Sequence, residues 1–168
     1  MRENSQILNC NHGCCKLFVE PYRYTNNNIY TKKYKSKAGA LIYDEKNDCI
    51  LLVQSRGNFW GLPKGTFENL ETSSSCAIRE VKEETGLELN EYDLTKPYYI
   101  DRACYFYVSH QCVDCKIQKN KFHECNDANG IGWIKLDCLK DLVNNNIIRL
   151  NYHTKLCLRR YLKLNLII

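Results

Sequence analysis

From Lys37 onward, apolar and polar positions settle into readable periods. The runs AGALIY and CILLVQ are rich in β-formers and are separated by the turn-like segment Asp44-Glu45-Lys46-Asn47-Asp48, a pattern that predicts a β-hairpin. A Gly/Pro-broken stretch follows, Gly57-Asn58-Phe59-Trp60-Gly61-Leu62-Pro63-Lys64-Gly65, which reads as loop. Helical spacing then runs from about Thr72 to Thr85, with Gly86 placed to end it. Further along, PYYIDRACYFYVSH reads as a strand, GIGWIKL as another, and LDCLKDLV as a short helix. In NYHTKLCLRRYLKL, Tyr152, Leu156, Leu158 and Tyr161/Leu162 recur near helical spacing, with Asn151 as a cap. Strands enclosing helices in this order predict an α/β sandwich of mixed sheets. The first third shows no comparable period. Residues 1–36 read as a basic, Cys-rich N-terminal arm packed on or leading into a domain of residues 37–168, whose C-terminal helix is basic. No internal repeat or low-complexity linker interrupts the chain, and Asn26–Asn28 and Asn144–Asn146 read as exposed loops.

Composition adds compartment and charge. At 168 residues, 44% hydrophobic and 26% charged, the chain suits one globular domain with a real core. No run approaches a membrane span and the N-terminus lacks a secretory core, so the expectation is a cytoplasmic protein with no membrane partner. Eleven cysteines are then expected as reduced thiols, with Cys49, Cys76, Cys104, Cys125, Cys138 and Cys157 as core filling. The net charge of +5 is uneven: residues 1–37 and 148–168 each carry +5, leaving −5 between them. Basic ends around an acidic centre suit a site that holds cations and attracts a polyanion.

The acidic centre has a fixed spacing. Between Gly65 and Leu87 the chain reads GTFENLETSSSCAIREVKEETGL. On a helix, Glu80, Glu83 and Glu84 fall within an arc of about 100°, while Ala77, Ile78 and Val81 occupy the adjoining arc and face the core. Three acids on one face repel one another and weaken a bare helix. A hard divalent cation resolves this, because Mg²⁺ takes oxygen ligands and joins carboxylates to phosphates. Arg79, one residue before Glu80 and four before Glu83, can hold a carboxylate in its planar fork.

These residues match the Nudix box, Gly-x5-Glu-x7-Arg-Glu-apolar-x-Glu-Glu-x-Gly-apolar, and the resemblance extends from about Lys37 to Val143. The resemblance implies a Nudix-type α/β/α sandwich whose box forms a loop-helix-loop, and a hydrolase attacking a diphosphate linked to another moiety with Mg²⁺ or Mn²⁺. By position it implies that Glu83 and Glu84 bind the metal with the Gly65 carbonyl, that Glu80 is a further metal ligand or the base, and that Arg79 and Glu71 brace the helix. It also implies one more acid from a loop before the last sheet strand, where Asp127 and then Glu124 are the candidates.

Outside the box, GALIYDEKNDCILLVQ, WGLPKG and CAIREVKEETGLELNEYD resemble the Nudix domain of mRNA-decapping enzymes, which implies capped RNA as the partner. The C-terminal basic positions Lys155, Arg159, Arg160 and Lys163 loosely echo that group's RNA-binding helix, and the chain lacks room for its usual N-terminal regulatory domain. Diphosphoinositol polyphosphate hydrolases are the rival, since Lys35-Ser36-Lys37-Ala38-Gly39 and Gln54-Ser55-Arg56 resemble their phosphate-gripping positions, and Lys32 and Lys33 extend that basic group. Diadenosine polyphosphate hydrolases come third, and a Nudix-fold binding module without catalysis is the reading from a different class. Lys64, Arg56, Lys37, Lys35 and Trp60 are the candidate substrate contacts. Trp60 and Phe59 offer a stacking surface, or else anchor their loop to the core. Finally, Cys10-x-His12-x-Cys14-Cys15, and Cys112-x2-Cys115 followed by His123-x-Cys125, supply thiolate and imidazole ligands at short spacing. A structural Zn²⁺ shared between the two groups is the expectation they raise, against chance clustering in a Cys-rich chain.

Overall fold

A computed structural model of the chain describes residues 5–20, 35–55, 59–115 and 128–166. The expected hairpin is present as β3 (Lys37–Asp44) and β4 (Cys49–Ser55), paired antiparallel. Both are buried on two faces, which is why their sequences are nearly continuous apolar runs rather than alternating ones. Asp44 closes the turn: its carboxylate accepts the N–H groups of Lys46 and Asn47 at 3.0 Å each and the Asn47 side-chain amide at 2.7 Å. These donors, with the Cys112 N–H, hold the Asp44 carboxyl well below the usual carboxylate range.

Around this pair the chain builds one mixed sheet of ten strands among the described residues. Its main path runs β1 (Gln6–Asn9), β2 (Lys16–Val19), β9 (Gly130–Lys135), β4, β3, β8 (Ala103–Ser109) and β7 (Tyr98–Ile100). Off this path, β5 (Phe59–Gly61) pairs with β4 and with β10 (Arg149–Leu150), and β6 (Lys64–Thr66) pairs with β3. The β3–β8 and β5–β10 pairs are parallel and the others antiparallel.

Alternation along the central strands assigns the two faces. Ala38, Ala40, Ile42, Leu51, Val53, Phe106 and Val108 share apolar clusters with Ala77 and Val81 of α1 (Ser73–Thr85). Leu41, Ile50, Leu52, Tyr105 and Ile134 instead pack with Leu139 and Leu142 of α2 (Leu136–Asn144) and with Cys157 and Leu158 of α3 (Tyr152–Leu162). Helices on both faces of a mixed sheet make this an α/β/α sandwich, as the pattern and the resemblance implied. No helix among the described residues is long and apolar enough to cross a membrane.

Two local readings change, and the N-terminal arm gains structure. The single strand expected over PYYIDRACYFYVSH is a hairpin, because Asp101 adopts a left-handed φ of 52° that an extended strand does not allow. The Gly/Pro-broken loop contains two short strands, β5 and β6. In the N-terminal arm, β1 and β2 form a hairpin that extends the sheet through β9.

Candidate active site

The loop into α1 is bent at Leu70, whose φ is 65°, and the helix then starts at a reciprocal cap. The Thr72 hydroxyl accepts the Ser75 N–H at 3.1 Å, and the Ser75 hydroxyl accepts the Thr72 N–H at 2.9 Å. Gly86, with φ 76°, ends the helix in the left-handed conformation that glycine adopts without strain. The thirteen residues between these stops include Arg79 and three of the centre's acids, Glu80, Glu83 and Glu84.

Arg79 organises that centre. Its Nε and Nη2 donate to the two oxygens of Glu71 at 2.6 and 3.0 Å, a two-pronged pair. Nη2 also donates to the Thr66 carbonyl at 2.9 Å, and Nη1 to Glu80 at 2.9 Å and Glu83 at 3.1 Å. One guanidinium therefore ties the loop before α1 to two successive turns of the helix. It pulls Glu71 down to about 2, reinforced by the Glu68 N–H at 2.8 Å, while its own pKa is driven up by Glu71 first and then by the helix acids. Burial pushes the Glu80 carboxyl up, against the pull of Arg79. Glu84 is 8% exposed and accepts the Lys64 N–H at 2.9 Å.

β6 brings Gly65 to this cluster. Its pairing with β3 places Ala38 opposite Gly65 and Gly39 opposite Lys64. A Cβ on Gly65 would overlap the Glu80 carboxylate, so the absence of a side chain there lets the acid lie against the backbone. The Gly65 carbonyl lies 3.9 Å from Cys76 Sγ on α1. The neighbouring strand is fixed from the other side: Leu62 N–H donates to Thr154 Oγ1 at 3.1 Å, and Asn151 caps α3 while its N–H donates to the Trp60 carbonyl at 3.0 Å.

Glu71, Arg79, Glu80, Glu83, Glu84, Lys64 and Gly65 thus come together. Carboxylate oxygens are hard donors, and one guanidinium among the four acids Glu71, Glu80, Glu83 and Glu84 leaves an excess of negative charge, so the chemistry of the residues present fits a divalent cation such as Mg²⁺. Trp60 does not belong here as a stacking surface. It is 1% exposed, held in β5 between β4 and β10, and presses on Gly130, where a Cβ would crowd its ring. Phe59 is exposed instead. Lys37 is half-buried at the start of β3 and Lys35 is exposed just before it. Arg56, Glu124, Asp127, Lys32, Lys33, His123 and Cys125 lie outside the described residues.

The cysteine groups divide. Cys10, Cys14 and Cys15 do converge, but the fourth thiol is Cys138 at the start of α2, not Cys112 or Cys115. Cys112 sits instead on the Asp44 turn, donating its N–H to that carboxylate at 2.7 Å, and Cys115 packs in the α1-side cluster near Trp133. Nothing in the sequence near Cys138 marks it, because its partners are more than a hundred residues away and spacing carries no signal at that range.

The chain matches the NUDIX domain family model over residues 33–150. It is 37% identical over 144 residues to protein 111R of Invertebrate iridescent virus 3, named as a hydrolase, and the match covers 79% of each chain. It is 33% identical over 99 residues to the mRNA-decapping protein g5R of one African swine fever virus isolate, covering 52% of this chain and 40% of that protein. Over 91 residues it is 35% identical to the m7GpppN-mRNA hydrolase dcap-2 of Caenorhabditis elegans, covering 49% of this chain and 11% of that protein. The chain therefore spans less than half the length of these two decapping proteins. Among solved structures, a MutT NUDIX hydrolase from Burkholderia pseudomallei has a TM-score of 0.55 at 22% identity, covering 76% of this chain and 97% of that one, a likeness of fold.

Proposed function

The chain belongs to the Nudix family of hydrolases, and from that premise we propose that it cleaves the diphosphate bridge of a nucleoside diphosphate linked to another moiety, with the messenger RNA cap as the substrate. The observation that carries the reaction is the Arg79 clamp, which ties Glu80 and Glu83 together on α1 with Glu80 against Gly65, while Glu84 is held on the Lys64 N–H. In this reading Glu83, Glu84 and the Gly65 carbonyl hold Mg²⁺ or Mn²⁺, with Glu80 close by. Bound there, the cation supplies neutralising charge and Lewis acidity toward the diphosphate.

The chain's own groups do the rest. Burial pushes the Glu80 carboxyl up against the pull of Arg79, and in this reading Glu80, a further metal ligand or the base, would accept the proton of the attacking water. Water adds to one phosphorus as the bridging P–O bond breaks, giving two phosphorylated products. Arg79 and Glu71 act as positioning residues, since their charges are spent on one another and on the helix acids. In this reading the half-buried Lys64, one residue before Gly65, would contact a phosphate through its ammonium.

The cap is favoured over other diphosphates by the partial matches to two decapping proteins and by the exposed Arg159 and Arg160 at the end of α3, which offer grip on an RNA backbone. Of the basic group that favours inositol pyrophosphates, Lys35 and Lys37 lie among the described residues, and Lys32, Lys33 and Arg56 lie outside them.

The test is a side-by-side assay with Mg²⁺ or Mn²⁺ on capped RNA, free dinucleotide cap, diadenosine tetraphosphate and diphosphoinositol pentakisphosphate. The expected result is release of methylated guanosine diphosphate from capped RNA ahead of the other three, with binding that weakens steeply as salt rises. Cleavage of the inositol compound with capped RNA untouched would overturn the substrate while leaving the hydrolase reading in place.

A further inference from the structure

On the face of the sheet opposite α1, four thiols meet. Cys14 Sγ lies 3.6 Å from Cys10 Sγ, 3.7 Å from Cys15 Sγ and 3.5 Å from Cys138 Sγ, and all four sulfurs fall within 4.8 Å of one another. These separations are far beyond a disulfide bond of about 2.05 Å. They agree with the edge of a tetrahedron of sulfurs around zinc, which a Zn–S bond of about 2.3 Å sets at about 3.8 Å. We propose that Cys10, Cys14, Cys15 and Cys138 form a structural Zn²⁺ site that fastens the N-terminal hairpin to the start of α2.

The backbone around the thiols is arranged for thiolates. Cys15 N–H donates to Cys10 Sγ at 3.3 Å and Lys135 N–H donates to Cys15 Sγ at 3.3 Å, the kind of outer hydrogen bond that supports a metal-bound sulfur. Cys138 is the third residue of α2, where the helix N-terminus favours negative charge. His12 Nδ1 stands 3.8 Å from Cys138 Sγ, beside the four rather than among them. The loop is pinned by Gly13 N–H on the Cys10 carbonyl at 2.9 Å and Cys10 N–H on the Cys15 carbonyl at 3.2 Å, with Gly13 in the left-handed region at φ 67°.

Core packing alone does not account for this group. Cys10, Cys15 and Cys138 are buried, but Cys14 is exposed and still turns its sulfur onto all three others. A metal also answers a structural need. The two four-residue strands of the hairpin are largely exposed, with Leu17 the one residue in them that is fully covered, and a hairpin of that size has little apolar burial to hold it in place. A cross-link through zinc supplies what the core does not.

The full chain, purified under reducing conditions without added metal, should carry about one equivalent of zinc by elemental analysis. Cys14→Ser and Cys138→Ser should each lose it, and Cys112→Ser should keep it. After chelation, the unmutated protein titrated with Co²⁺ should show the intense d–d bands of tetrahedral cobalt and a thiolate charge-transfer band, so the proposal stands or falls even where a cysteine variant fails to fold. Zinc below about a tenth of an equivalent with no such cobalt spectrum would overturn it. So would iron in place of zinc, zinc retained in both Cys14→Ser and Cys138→Ser, or a disulfide within the Cys10–Cys15 peptide by mass. None of these readouts depends on the diphosphate chemistry.

Discussion

Arg79 is the residue on which the carboxylate site turns, and its partners differ in what they gain from it. Glu71 takes two of its N–H groups and is held at about 2, whereas Glu80 shares a third and is still pushed up by burial. A bracing carboxylate should be charged at every working pH; an acid that passes a proton should not be held so firmly. The Glu71 pKa is lower in the folded chain than the roughly 4.3 of a free glutamate, so its ion pair adds stability that is fully present above about pH 5 and is lost as pH falls toward 2. Glu71→Gln should therefore cost about 2 kcal/mol at neutral pH. Thermal melts of the two proteins from pH 7 down to 3 should show the Tm gap narrowing with acid, and a gap independent of pH would mean that the Glu71 charge contributes nothing.

At the scale of elements, the site depends on how closely β6 approaches α1. The cap at Thr72 and the stop at Gly86 fix the helix register, and β3 fixes β6, so the Glu80 carboxylate meets a backbone with no side chain in its way. In Gly65→Ala the added methyl meets the end of a flexible side chain rather than backbone, so the acid moves and the fold does not. Turnover is expected to fall at least tenfold while Tm shifts by only a few degrees. Steady-state kinetics beside a thermal melt checks this, and unchanged turnover would mean that Glu80 need not lie against Gly65. The same contact shows why the Nudix box was readable: its glycines and acids are local, and each spacing maps onto one turn or one strand. The PYYIDRACYFYVSH segment was misread because its two strands are joined by only Asp101 and Arg102, so apolar periodicity runs across the turn with little break. Of the two readings open for Trp60, the core anchor holds, and sequence alone could not choose it because β10, which pairs with its strand, lies ninety residues further along the chain.

Across the whole molecule, local chemistry was legible in the sequence and long-range convergence was not. The hairpin of β3 and β4, the box helix and the two later helices follow from period and caps within short windows. The joining of β2 to β9, the seating of Trp60 under β10, and the meeting of Cys138 with Cys10, Cys14 and Cys15 depend on tertiary pairing that no short window contains. The resulting molecule carries the carboxylate cluster with α1 on one face of the sheet and the four-thiol cluster with the start of α2 on the other. The central claim is that the acids of α1 are the catalytic metal site. It is tested most directly by Mg²⁺-dependent hydrolysis of capped RNA, scored by release of methylated guanosine diphosphate, in Glu83→Gln and Glu84→Gln beside the unmutated chain. Each substitution removes a charge and keeps side-chain volume, so folding by circular dichroism should be preserved while turnover drops by roughly a hundredfold or more. Undiminished hydrolysis in both folded variants would contradict the account.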